Sequence, residues 1–420
     1  MEYYQILLPL ALILIFSKFL SIAGQKMGLP QVVGMLLTGV LIGLIKYIPS
    51  QNVITADALS GLGFIGKIGV VLIMFSAGLE TNVKIIRSTG AEATLITVLG
   101  VAVPMGLGFL LTHLFFPDAS VYTKLFYGVI ITATSVSVTV ATLKELGKLD
   151  SPIGTAIVSA AILDDVIGIV LLSLVSGLAN TGETPEDLLG KLFQPIFSGN
   201  LSVIAVLIKI VLFFAFIVGF GILFRKWFEY LDKKYPHHRR LALIGFGVCF
   251  LFAYASEFLF GIADITGAYF AGIMISGLNG AKYVDSKVSQ SCYLLFAPVF
   301  FATIGLNMEF STITTAMLAF GLCYIAVAML GKFIGCGLGA FIFKQGVRNS
   351  LRAGIGMMAR AEVVLVCTQK GVDYGLINKD IYPFILILII VTSFLVPILL
   401  KCTYKGEAEA PVLPPPEPQS

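Results

Sequence analysis

The chain has 420 residues, 57% of them hydrophobic and only 12% charged, a balance far outside that of water-soluble domains. Its formal charge of +4 is spread over loops without a basic patch interleaved with aromatics, which argues against nucleic acid as a partner. The six cysteines all lie in the second half with no CxxC spacing, so they point neither to a disulfide framework nor to a zinc site.

A bilayer core about 30 Å thick takes roughly 20 apolar residues per helical span. Stretches of that kind predict an all-α polytopic membrane protein with about 13 transmembrane helices. They fall near 5–23, 30–46, 61–80, 90–116, 121–143, 153–178, 200–224, 241–259, 262–278, 290–306, 314–343, 351–370 and 381–400. Unbroken runs such as Phe384 to Leu400 are unlike the weak alternation of a strand barrel. The first run has no basic n-region and carries Lys18, so it reads as a retained span and not as a signal peptide.

Lysine and arginine alternate from loop to loop. Lys26, Lys84, Arg87, Lys144, Lys148, the 225–240 segment, Lys282, Lys287, Lys344, Arg348, Arg352, Lys401 and Lys405 share one side. The positive-inside rule makes that side cytoplasmic, with the N-terminus outside and the C-terminus inside a cell membrane. His237 and His238 belong to the basic 225–240 loop, which reads as a solvated inside loop. The Pro- and Glu-rich tail at 404–420 reads as disordered.

The fifth span contains a run of small hydroxylated residues, Thr132, Thr134, Ser135 and Ser137. Their oxygens suit a small hard cation, and an unwound segment there would also expose carbonyls to a cavity. The plainer reading of each hydroxyl is a bond back to a helix carbonyl.

The sixth span places Asp164 and Asp165 halfway along an otherwise apolar helix. A charge at the bilayer centre costs roughly 2.5–3.5 kcal/mol, so ionisable residues there are functional candidates by default. Neighbours on a helix point about 100° apart, which lets the two carboxylates face different surroundings and take separate roles. A carboxylate that trades a proton for a cation is the minimal exchanger. The competing reading is that the pair merely anchors basic residues between helices.

The eleventh span carries Lys332 amid glycines that permit close helix approach, and Lys332 is the natural counter-ion for Asp164. The twelfth holds Arg360 and Glu362, two positions apart and so on different helix faces. Gly354 and Gly356 make this span a second candidate for an interrupted helix. Spans five and twelve run in opposite directions, the pattern of inverted repeats with interrupted crossing helices. Lys67, Glu80, Glu92, Lys209, Glu257 and Asp264 read as span-end or snorkelling groups, Asp264 having the strongest remaining claim on function.

On these residues the chain resembles the monovalent cation/proton antiporters, within them the NapA-type and GerN-type branch. The likeness rests on AILDDVIGI, TATSVSV, GKFIGCGLGA and ARAEV, supported by FSAGLET, ITGAYFAGIMISG and APVFFATIGLNM, and it covers nearly the whole membrane region. The relatives' RGE pattern is Arg360-Ala361-Glu362 here, and no soluble nucleotide-binding domain is expected.

The resemblance implies an NhaA-like antiporter fold within 1–403. Its core would comprise approximately 90–178 and 314–400, its dimerisation part approximately 1–82 and 235–306, and its linker helix approximately 200–224. It further implies a homodimer and elevator-like motion. Asp165 would be the principal carrier of cation and proton, with Asp164 the partner of Lys332. The transported ion, Na+ before Li+ or K+, would sit at Asp165 and Asp164, with no cofactor and no enzymatic activity.

Three other readings are weaker. An intramembrane aspartyl protease needs its two aspartates on different helices, a cation channel needs a ring of repeated ligands, and an organic-anion symporter would meet repulsion from the paired aspartates.

Overall fold

The structure, a computed structural model, describes residues 4–49, 51, 53–81, 90–149, 151–179, 187–193, 202–234, 239–278, 280–308 and 314–405. Lys84, Arg87, His237, His238 and the tail from residue 406 lie outside the described residues.

All regular elements among the described residues are helices. The first third holds α1 (Tyr4–Lys26), α2 (Gln31–Gly43), α3 (Ala56–Glu80), α4 (Ala91–Phe115), α5 (Val121–Ile130) and α6 (Val136–Glu145). The middle holds α7 (Pro152–Ala179), the short α8 (Leu188–Phe193), α9 (Ser202–Lys234), α10 (Arg239–Phe260), α11 (Asp264–Ser276), α12 (Ala281–Ser291) and α13 (Ala297–Leu306). The remainder is α14 (Thr315–Ile342), α15 (Gly346–Gly356), α16 (Glu362–Asp373) and α17 (Tyr382–Tyr404).

Local chemistry explains several boundaries. Thr55, Ser120 and Thr314 cap α3, α5 and α14 by accepting from the N–H groups of Ala58, Thr123 and Met317. Pro152 opens α7, where its missing N–H costs nothing.

Nine helical runs among the described residues are long and apolar enough to cross a membrane, and Gln31–Tyr47 is a shorter apolar one. Large apolar side chains such as Phe16, Phe19, Val211, Leu223 and Phe341 stay exposed, as lipid-facing residues do.

Several predicted bounds shift, among them the start of the third span, which is Ala56 and not 61. The tenth span begins at Ala281 and not near 290, because α12 and α13 are joined by a π turn at Cys292–Phe296 that carries the helix through. The seventh ends at Phe224 as an apolar run, while its helix continues to Lys234. The twelfth starts earlier than predicted, at Gly346, and is divided by a break after Gly356.

The helices sort into two groups by what they touch. In one, α4 packs along α14, and around them stand α5, α6, α7, α15, α16 and α17. In the other, α3 packs against α11 and α13, with α1, α2, α10 and α12 beside them. The long α9 touches α7 on one side and α10 and α11 on the other. Close approach needs glycine at the tightest points: a Cβ on Gly335 of α14 would collide with the Leu99 carbonyl of α4. Lys332, about one turn earlier on α14, is fully buried in the interior of the first group.

Candidate ion-binding site

Two helix breaks meet at the centre of the first group. Between α5 and α6 the chain is non-helical from Thr132 to Ser135, a stretch of β-branched and hydroxylated residues with weak helix propensity. Between α15 and α16 it is non-helical over 357–361, although Met, Ala and Arg are good helix formers. Contact between the breaks supplies what propensity does not. The Ser135 N–H donates to the Ala359 carbonyl at 2.9 Å, and the Thr139 hydroxyl donates to the Gly356 carbonyl at 2.6 Å. The freed backbone groups thus find partners inside the protein, the condition for a broken helix in lipid.

Charge completes the arrangement. Arg360 is fully buried and its Nη2 donates to the carbonyl of Ile131, the C-cap of α5, at 2.7 Å. The same nitrogen donates to the Ala328 carbonyl of α14 at 3.0 Å, and the Arg360 N–H donates to the Thr392 hydroxyl of α17 at 3.2 Å. A cation therefore faces the negative end of one half-helix. Glu362, the first residue of α16, stands at the positive end of another. The two residues thus face different half-helices.

Asp164 and Asp165 occupy the middle of α7 with opposite fates. Asp164 is 2% exposed and accepts from Lys332 Nζ at 2.5 Å. Asp165 is half-buried, and its Oδ1 has no hydrogen-bond partner among the described residues. It lies within Coulombic range of Asp164, Glu362, Lys332 and Glu80. Asp164 is ion-paired through one oxygen and leaves its Oδ2 without a hydrogen-bond partner among the described residues, while Asp165 has an unmatched Oδ1 and no ion pair there.

The hydroxyls of the first break are buried, and one of them, that of Thr132, follows the plainer reading of a bond back to a helix carbonyl, while that of Thr134 bonds within the break. Thr132 donates to the Val129 carbonyl at 2.7 Å and Thr134 to the Thr132 carbonyl at 3.3 Å. Their protons are committed, while the oxygens keep lone pairs for a cation. Ser135 is buried beside them.

Two anchoring residues escaped the sequence reading. Thr139 continues the hydroxyl run by one further turn and was there to be noticed. Thr392 sits in an otherwise apolar helix with no local signal. Among the charges read as snorkelling, Lys209 pairs with Asp187 at 2.8 Å, and Asp264 pairs with Lys370 at 2.5 Å. No cluster of three or more His, Cys, Asp or Glu suited to a resident metal occurs among the described residues. All six cysteines are free.

Apolar helices of spanning length, broken helices meeting in the interior and an unmatched carboxylate beside them define a polytopic membrane protein of the ion-coupled transporter class. The family model for the transmembrane sodium/hydrogen exchanger matches residues 11–405, and the chain belongs to that family. It is 30% identical over 413 residues to the Na(+)/H(+)-K(+) antiporter GerN of Bacillus cereus, covering 97% of this chain and 98% of that one. An Na(+)/H(+) antiporter of Enterococcus hirae is 29% identical, with 93% and 96% covered. In fold it is similar to the sodium proton antiporter MjNhaP1 of Methanocaldococcus jannaschii, with a TM-score of 0.70 at 18% identity over 97% of this chain and 98% of that one.

Proposed function

We propose that this protein exchanges a monovalent cation, sodium before lithium or potassium, for protons across a cell membrane by alternating access. The observation that carries the reading is the contrast between the two aspartates: Lys332 neutralises Asp164, while Asp165 has no ion pair among the described residues, and each keeps one buried oxygen without a hydrogen-bond partner there. Asp165 binds either a proton or the cation, and the two compete. Oxygens of Thr132, Thr134 and Ser135 and the carbonyls of the first break complete the cation's shell.

Arg360 and Glu362 fix the half-helix ends, so the site is preorganised and not assembled around the ion. A cation that draws Asp164 into its shell releases Lys332, which then gives up its proton. One cation replaces two protons in that case, and the exchange is electrogenic.

The remaining architecture follows from the same reading. The nine long runs, the Gln31–Tyr47 helix, the two broken helices and α11 together support thirteen crossings. Each broken helix stands between two unbroken ones, α4 and α7 in one case and α14 and α17 in the other, which supports inverted repeats. The loop charges support an outer N-terminus and a cytoplasmic C-terminus. The two packing groups support a core that moves and a second part that dimerises, with α9 linking them.

The test is proton flux in proteoliposomes after addition of sodium, lithium or potassium, with Asp165→Asn in parallel. We expect cation-driven pH change in the unmodified protein and at least about a hundredfold loss in the variant, with its melting temperature maintained. Exchange retained by folded Asp165→Asn would remove the proposed role of this residue.

A further inference from the structure

The two packing groups are joined by polar ties at one end of α11. Lys370 of α16 reaches Asp264, the first residue of α11, at 2.5 Å, and Ser173 of α7 shares a 2.8 Å hydrogen bond with Thr266, two residues further on. Apart from this pair, α16 packs on α5 and α17, whereas α11 packs chiefly on α3 and α10. Lys370 and Asp264 therefore connect elements whose main neighbours lie in different groups. On the orientation read from the loop charges, both ties lie on the outer side.

The pair also has the physical character of a contact that opens. Its side chains are 11% and 21% exposed, so the pair lies at the edge of the interior, where separation brings both charges to water. Asp264 keeps a 2.7 Å bond from the Ile265 N–H when the lysine leaves. An open cavity of about 370 Å³ reaches Asp264 and is lined also by Glu257 and Asp187. Asp187 is already paired with Lys209, and Glu257 lies within Coulombic range of Lys370. A released Lys370 thus has water and a second carboxylate nearby, which lowers the cost of opening.

We propose that the Lys370–Asp264 ion pair is a latch between the two helix groups, holding the protein closed on this side and opening in each exchange cycle. The proposal rests on the reading of the groups as parts that move relative to one another. The latch favours the state described here, so its strength sets how often the opposite state is visited.

The test uses the full-length protein in proteoliposomes and compares Lys370→Gln, Asp264→Asn and the exchanged pair Asp264→Lys with Lys370→Asp. Amide hydrogen exchange is followed at 264–268 and 370–373, and cation-dependent proton flux is measured beside it. Each single variant is expected to exchange amide hydrogen faster at both segments, on the order of tenfold, with a changed turnover and little change in cation half-saturation. The exchanged pair is expected to move both readouts back towards the unmodified protein. Single variants indistinguishable from the unmodified protein in both readouts would overturn the latch. So would changed melting temperature with unaltered turnover, which marks a merely structural contact. Absence of flux in the unmodified protein would instead sink the antiporter reading, while amide exchange would still report whether the pair ties the groups together.

Discussion

Two lysine–aspartate pairs in this molecule have the same 2.5 Å separation and opposite settings. Lys332 and Asp164 are 0% and 1% exposed and join α14 to α7 inside one packing group. Lys370 and Asp264 are 11% and 21% exposed and tie that group to the other. Low dielectric strengthens the first attraction, and desolvation of both charges offsets much of the gain. Such a pair matters chiefly through what happens when one member is lost. The second pair is weaker in both senses, which lets it break and re-form without stranding a charge.

The comparison would break most visibly at Lys332. Lys332→Met leaves Asp164 buried without its counter-ion and is expected to cost about 3–5 kcal/mol. Adding Asp164→Asn should recover most of that loss. Lys370→Met is expected to cost about 1 kcal/mol, less than Lys332→Met because the Asp264 left behind is 21% exposed and keeps the Ile265 N–H. Unfolding in detergent, followed by temperature or denaturant, checks all three. Equal losses from the two lysines would mean that burial does not distinguish these pairs.

The interior pair was legible in the sequence because charges in apolar runs are few and Lys332 lies amid glycines suited to close packing. The first break was legible for a different reason: Thr132, Thr134 and Ser135 are three poor helix formers within four residues. The second break was only approximately so. Gly354 and Gly356 pointed to the region, yet α15 runs through both and the chain departs from helix over residues with good helix propensity. Contacts from Ser135, Thr139 and Thr392 override that propensity, and no local pattern announces them. The Lys370–Asp264 pair was illegible for the same reason, since each residue looks like an ordinary span-end charge until the fold brings them together.

Arg360 offers an intermediate effect between the two lysines. Its guanidinium donates through one terminal nitrogen to the Ile131 and Ala328 carbonyls, which the ammonium of the shorter lysine side chain would have to reach from further back. Arg360→Lys is expected to cost about 2 kcal/mol in stability, within the range for hydrogen bonds from a charged group. It should also slow exchange by loosening the end of α5. A melting temperature unchanged from the unmodified protein would show that the half-helix end needs no such partner.

The smallest effect separates the pairs without any substitution. Raising an untransported salt such as choline chloride from 0.1 M to 1 M shortens the screening length from about 10 Å to about 3 Å. Screening acts on charges that solvent reaches, so the Lys370–Asp264 contact should weaken while Lys332–Asp164 is unaffected. Amide exchange at 264–268 is expected to rise about twofold, with that at 162–166 unchanged. Lys370→Gln should abolish the salt response at 264–268, because the charge being screened is gone. A response retained in that variant would assign the salt effect to other charges near the α10–α11 turn, with Glu257 and the Asp187–Lys209 pair the first to test.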